Sequence, residues 1–193
     1  MKSKIIILRA MRRKKKKQRG LEITFPNKEL SQGHINKALH NLQVMDDLHT
    51  LKHKDWVVVV AYYAMYHGAT AVLAHIGLES KDHATTVAIL EYFFSKDIDK
   101  TLLDKFHTLK QKKDSIEQLY LEDKFLNYLW QAKVLRENAQ YGTNTLVPTS
   151  EDSLSHAREF VSAIRLLLDK LDEEYISLIQ TQMNELQQEL KKK

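Results

Sequence analysis

The sequence predicts an all-α protein, a helical bundle that ends in one long C-terminal helix. Apolar residues recur at steps of three and four in separate segments, the spacing of one helix face. Gly occurs 5 times and Pro 2 times in 193 residues, whereas an all-β sandwich or barrel needs a turn about every 8–12 residues. The central apolar segment is longer than a strand requires. With 43% hydrophobic and 28% charged residues, the composition is that of a soluble globular chain. Cys is 0, which excludes a disulfide framework, cysteine-ligated metal and a thiol nucleophile, and fits a cytoplasmic setting.

After Pro26-Asn27, the residues Ile35, Ala38, Leu39, Leu42, Met45 and Leu48 share a face and predict a first helix over about 28–52. Asp55 is placed to cap a second helix from Trp56 to about Ile76, with Gly77 as its stop. Val57 to Val60 suits a strand by propensity, but apolar residues run on through Tyr66 without a turn signal. A buried helix is therefore expected. It is apolar on nearly all sides and belongs at the centre. A third helix is expected over about 82–95, followed by a charged break over Lys96 to Asp99. A fourth is expected over about 100–120 and a fifth over about 122–141, ending at Gly142 before a loop with Pro148. Thr149 and Asp152 resemble a capping box.

Leu154, Ala157, Val161, Ile164, Leu168, Leu171, Tyr175 and Leu178 keep a 3-4 spacing that slips to Ile179, Met183, Leu186 and Leu190. Read as one helix over 150–193, this segment is ~66 Å long, more than the shorter helices can cover. Its end is expected to protrude. Either its apolar seam pairs with another copy or another protein, or the end is a solvated, frayed helix.

Charge is unevenly spread. Ten of the 30 Lys and Arg fall in residues 1–20, which hold no acid, so the remainder carries 20 bases against 25 acids. The apolar run Ile5 to Leu8 is too short for a secretory signal, and no stretch approaches the ~18 apolar residues of a membrane span. Arg12, Arg13, Lys14, Lys15, Lys16 and Lys17 repel one another and read as disordered. Two readings stand side by side: a nucleic-acid arm giving salt-sensitive, sequence-blind attraction, or a solvated tail, including one created by a misplaced start. The organisation expected is a basic disordered arm over 1–25, a bundle over 26–175 and a protruding helical extension over 176–193.

The five glycines are too dispersed for a phosphate loop, and His-Glu-x-x-His is absent. His49 and His53 stand four apart, half a metal site with no third ligand evident. No metal and no cofactor are expected.

Ala61-Tyr62-Tyr63-Ala64-Met65-Tyr66-His67, then Gly77-Leu78-Glu79-Ser80-Lys81-Asp82-His83-Ala84, then Arg136-Glu137-Asn138-Ala139-Gln140-Tyr141 follow one another in the chain. Together they resemble the HEPN domains of archaea and bacteria, whose patterns read AYYAMFHA, GL-x-S-K-x-H and R-x-x-A-D-Y. The resemblance covers about residues 28–170. It implies an antiparallel up-and-down bundle, usually a homodimer, and a link to RNA or nucleotide. Many members resemble metal-independent ribonucleases of toxin–antitoxin or defence systems, with an Arg followed a few residues later by a His. Others pair with a minimal nucleotidyltransferase antitoxin.

In this chain Tyr141 stands where the motif His is expected. Cleavage through a 2′-OH needs a proton acceptor poised near neutral pH, and a Tyr with a reference pKa near 10 is poor at that. Arg136 and Tyr141 lie about 140° apart on a helix, so they converge only if the helix ends near Gly142, or across a dimer. The candidate catalytic set is Arg136, Asn138 and Tyr141. The candidate ligand-binding set implied by the resemblance is Tyr63, Tyr66, His67 and His83. The alternative for the tyrosines is a core role, for the histidines a structural one, and for Arg136 an ion pair with a neighbouring helix. Three functions are weighed: a cytoplasmic module that binds RNA, nucleotide or a nucleotidyltransferase; an active ribonuclease toxin; and a scaffold assembled through the C-terminal helix.

Overall fold

Asn27 opens the bundle by accepting a hydrogen bond from the Leu30 amide at 2.8 Å, which satisfies a donor the first helical turn cannot. The computed structural model describes residues 2–15, 20–95, 120–141 and 150–191, and among these seven helices and one two-stranded sheet occur. Helix α1 is Lys2–Lys15 and strand β1 is Leu21–Ile23. Helices α2 (Lys28–Thr50) and α3 (Lys54–His75) precede strand β2 (Leu78–Ser80) and helix α4 (His83–Phe94). Helices α5 (Asp123–Tyr141), α6 (Ser150–Lys170) and α7 (Glu173–Lys191) complete the order. The expected all-α class holds.

Helix α3 is the axis. Val57, Val58, Ala61, Tyr62, Met65, Ala69, Val72 and Leu73 are among its buried residues, and α2, α5 and α6 pack around it. At Gly68 an added Cβ would sit 3.6 Å from Phe160 and 3.7 Å from Ile164, both on α6. The helix is long and apolar enough to cross a membrane, which the sequence reading did not expect of any stretch, and 72% of its apolar window is buried among its neighbours. It starts at Lys54, not Trp56. Asp55 lies inside the first turn rather than at the cap, where its carboxylate suits the positive end of the helix dipole. Because α2 ends at Thr50, His49 and His53 do not share one helix.

Gly77 stops α3 with a φ of +73°, a conformation that costs a residue with a Cβ. The chain then forms β2, antiparallel to β1, with Leu21 opposite Ser80 and Ile23 opposite Leu78. The Thr24 amide donates to the Gly77 carbonyl at 2.9 Å, and the Asn27 amide to Ala74 at 2.9 Å. This small sheet was not expected, since three-residue strands carry too little pattern to read.

The basic arm is corrected. Residues 2–15 are helical, not disordered: Ile7, Ala10 and Met11 form a 3-4 stripe buried in the core. Helix α1 packs on α4, β1 and α7. Ser3 donates to Glu91 at 2.7 Å, and Lys4 pairs with Glu189 at 3.4 Å. Arg12 is exposed, but Arg13 is committed to Asp82 at 2.7 Å. Lys14 and Lys15 end α1, while Lys16 and Lys17 lie outside the described residues.

The long final helix is corrected too. It breaks at Leu171-Asp172, and Asp172 caps α7 by accepting from the Tyr175 amide at 2.8 Å. Helix α7 folds back and buries Tyr175, Ile176, Ile179, Met183 and Leu186. The side-chain amide of Gln180 donates to the Ile76 carbonyl, and to Gly77 at 3.0 Å. Tyr175 stacks near Phe94 at 6.4 Å. No extension protrudes over 176–191, and the seam is covered by the same chain, so it gives no support to a scaffold or to a dimer built on it. The expected fourth helix, the break at Lys96 to Asp99, the Pro148 loop and the Thr149 capping position lie outside the described residues.

Two glycines on α3 and its stop should respond oppositely to alanine. Gly68→Ala meets ordinary contacts and gains helix propensity, so stability should hold or rise by about 1 kcal/mol. At Gly77 a Cβ would lie 2.5 Å from Gln180, 2.7 Å from the Thr24 carbonyl oxygen and 2.8 Å from the Pro26 nitrogen. Gly77→Ala should cost about 2 kcal/mol or more. Urea denaturation of both variants checks this, and equal midpoints would contradict it.

Candidate functional site

The site is built where three helices meet. Helix α3 presents Tyr62, Tyr66 and Thr70 at steps of four, so they stand one above another on successive turns, with Tyr63 and His67 alongside. Helix α4 begins beside them because Asp82 caps it, accepting from the Ala84 amide at 3.3 Å and from the Thr85 hydroxyl at 2.7 Å. The first residue after that cap is His83. Helix α5 supplies Arg136 near its end.

The rings of Tyr62 and Tyr66 stack at 6.0 Å and 15°. The His83 ring lies 4.2 Å from Tyr66 and 5.5 Å from Tyr62, and its Nδ1 is hydrogen-bonded to the Tyr62 hydroxyl. The Arg136 guanidinium carbon lies 5.3 Å from the Tyr62 ring centre, 6.0 Å from Tyr63 and 5.9 Å from Tyr141. Cations over aromatic faces at such distances are attracted by the ring quadrupole. Arg136 is 9% exposed. Its Nη1 donates to Gln140 at 2.9 Å, and its Nε has no hydrogen-bond partner among the described residues. A carboxylate at Gln140 would neutralise the guanidinium; the amide does not.

Protonation follows from this packing. Burial holds the His83 imidazole below its ordinary 6.5, and the charges of Arg136 and Lys133 push the same way. Burial drives the Tyr62 phenol far above its ordinary 10, with Tyr66 adding to the rise. At neutral pH the pair is therefore neutral imidazole and intact phenol. With the phenol proton as the donor to His83 Nδ1, the imidazole proton sits on Nε2; with Nδ1–H as the donor, Nε2 is bare. The Asp82 carboxyl stays below its usual range: burial alone would raise it, but the bonds from Thr85, Arg13 and the Ala84 amide prevail.

Next to this cluster lies an open cleft of about 870 Å³, lined by Tyr63, Tyr66, His67 and His83 together with His34, Thr70 and Phe25. All four residues of the expected ligand-binding set thus line one cleft. His34 and His67 approach through their Nδ1 atoms at 3.1 Å, and burial lowers both pKa values. Of the catalytic set, the structure brings Arg136 and Tyr141 within reach of each other, the guanidinium carbon lying 5.9 Å from the Tyr141 ring centre. Tyr141 itself is 74% exposed. Asn138 is exposed and sits about 200° round the helix from Arg136, so it does not join them. The ion pair weighed for Arg136 is absent among the described residues. Tyr62 has the core placement expected of it and a hydrogen bond to His83 as well. Sequence reasoning missed Asp82, Thr85 and Arg13 as a linked set, and His34. No group of three or more His, Asp or Glu that could hold a metal occurs among the described residues.

Fold and cluster together define an all-helical bundle with an aromatic–histidine–arginine cluster beside an open cleft. The sequence model of the HEPN domain matches residues 31–173, and the chain belongs to the HEPN family. No curated protein matches it. The match leaves α1, β1 and nearly all of α7 outside.

Four histidines, His34, His67, His75 and His83, titrate below 6.5 in the fold. Just below that pH the unfolded chain binds more protons than the native one, so stability rises with pH there. The urea midpoint should fall as pH is lowered from about 7.5 to about 5.5. Asp82 acts only in its own window, below 3.8. A midpoint that rises as pH falls through 6.5 would contradict the protonation states given above.

Proposed function

We propose that this HEPN protein is a phosphate-binding module that takes a phosphate of RNA or of a nucleotide at Arg136. The observation that carries this is a nine-tenths buried guanidinium whose Nε–H is unpartnered among the described residues, with a neutral amide as its hydrogen-bonded neighbour. A planar, permanently charged donor fork suits a phosphate. His83, with its proton on Nε2 when Tyr62 donates to Nδ1, adds a donor at the adjoining cleft, whose walls are aromatic. Tyr141 joins as a hydrogen-bonding phenol. Family membership supports a toxin–antitoxin or defence-type setting in the cytoplasm, a homodimer, and a minimal nucleotidyltransferase as protein partner. Binding is favoured over cleavage because neither Tyr62 nor Nε2–H can accept a proton from a 2′-OH near neutral pH.

A second reading follows from the same hydrogen bond with its proton reversed. If His83 Nδ1–H donates to Tyr62, Nε2 is a free base close to Arg136, and the protein is a metal-independent ribonuclease.

Calorimetric titration with pyrophosphate and with a short oligoribonucleotide separates the outcomes. Arg136→Ala should weaken binding at least about tenfold at every salt concentration, since hydrogen bonds to charged groups contribute about 1.5–3 kcal/mol. Tyr141→Phe should change it little. Affinity unchanged by Arg136→Ala would end the binding reading. Fast metal-free cleavage of RNA, lost in His83→Gln, would put the ribonuclease in its place.

A further inference from the structure

Helix α1 lies outside the segment matched to the family, yet it reaches the site. Arg13 Nη2 contacts Asp82 Oδ2 at 2.7 Å and the Thr85 hydroxyl at 3.4 Å. Asp82 is a junction. Its Oδ1 caps α4, its Oδ2 takes Arg13 and Thr85, and its carbonyl accepts from Ser80 at 3.1 Å and from Thr86 at 3.2 Å. His83 is the adjacent residue, held between the Asp82 cap and the rings of Tyr62 and Tyr66. The groups of α1 that fix its place are apolar: Ile7, Ala10 and Met11 are buried against the core. Arg13 is thus delivered to Asp82 by a packed helix, not by a loose tail.

We infer that Arg13 is a positioning residue of the Tyr62–His83–Arg136 site, acting from α1 through the Asp82 cap to set the His83 ring. Asp82 without Arg13 keeps the cap through Oδ1 and the Thr85 hydroxyl on Oδ2, but loses the cation that balances its carboxylate. The unbalanced carboxylate, one residue from His83, then acts more strongly on an imidazole whose surroundings also hold the charges of Arg136, Lys133 and Glu137. The consequence is specific. The N-terminal segment, by composition a dispensable basic tail, is part of what makes the site competent. This rests on the phosphate-binding reading only for its binding readout.

The test uses the full chain and three variants: Arg13→Ala, Arg13→Lys and Asp82→Asn. Asn is as good a cap as Asp, so Asp82→Asn removes the ion pair and keeps α4 if Arg13→Ala fails to fold. Two quantities are read: the His83 imidazole titration by NMR, and the affinity for pyrophosphate. In Arg13→Ala the His83 titration should move up toward 6.5. Affinity should fall about three- to fivefold, the size of a partly exposed ion pair. Arg13→Lys should recover part of both, and Asp82→Asn should weaken affinity similarly with helicity intact. A folded Arg13→Ala, or a folded Asp82→Asn, with His83 titration and affinity both unchanged would overturn the inference. If the wild type binds no pyrophosphate but the His83 titration still moves in Arg13→Ala, the positioning role stands and the phosphate-binding reading falls.

Discussion

A helix that is apolar on nearly all sides has little face to offer water, and α3 is such a helix. It can exist only when sheathed, and α2, α5 and α6 supply the sheath. Gly68 lets α6 come close. The same requirement places the chemistry. The tyrosines of α3 point where the sheath opens between α4 and α5. There a large ring can bury its carbons and still find a partner for its hydroxyl. Tyr62 does this against His83, and Tyr66 packs its ring on the same imidazole. The site is therefore a by-product of covering α3, fixed by core packing and not by a loop.

Electrostatics in that corner are consistent in direction. Burial costs a charged form more than a neutral one, so the imidazole stays unprotonated and the phenol stays protonated. Among the described residues the charged side chain buried most deeply is Arg136, which cannot shed its proton and is supported by aromatic faces and the Gln140 amide. A buried cation without an ion-pair partner among the described residues is an arrangement completed by an anion. That separates the site from an acid–base pair, in which one member must be able to accept a proton.

Much of this was legible in the residues. The uninterrupted apolar run placed α3 at the centre, Gly77 marked its stop, and the order of the tyrosine, His83 and Arg136 segments pointed to the family. The long Arg136 side chain spans the angular separation and brings its guanidinium to 5.9 Å from the Tyr141 ring. Other features were hidden for physical reasons. In α1 the buried stripe of Ile7, Ala10 and Met11 is only three residues among seven cations, so charge masked amphipathicity. The break between α6 and α7 has neither Gly nor Pro. Its only mark is Lys170 in a last turn followed by Asp172, Glu173 and Glu174, a stop and an acidic start in succession. The meeting of His83 with Arg136 around Tyr62, and of Arg13 with Asp82, comes from tertiary packing, which no local spacing encodes.

The central claim is that His83 is neutral at neutral pH, accepts the Tyr62 proton at Nδ1 and carries its own proton on Nε2. Nitrogen-15 NMR of histidine-labelled protein near pH 7 reads this directly, because protonated and unprotonated ring nitrogens have separate shifts. The account predicts an unprotonated Nδ1 and a protonated Nε2 for His83, with Nδ1 losing its hydrogen-bonded character in Tyr62→Phe. A proton found on Nδ1, or on both nitrogens, would contradict it.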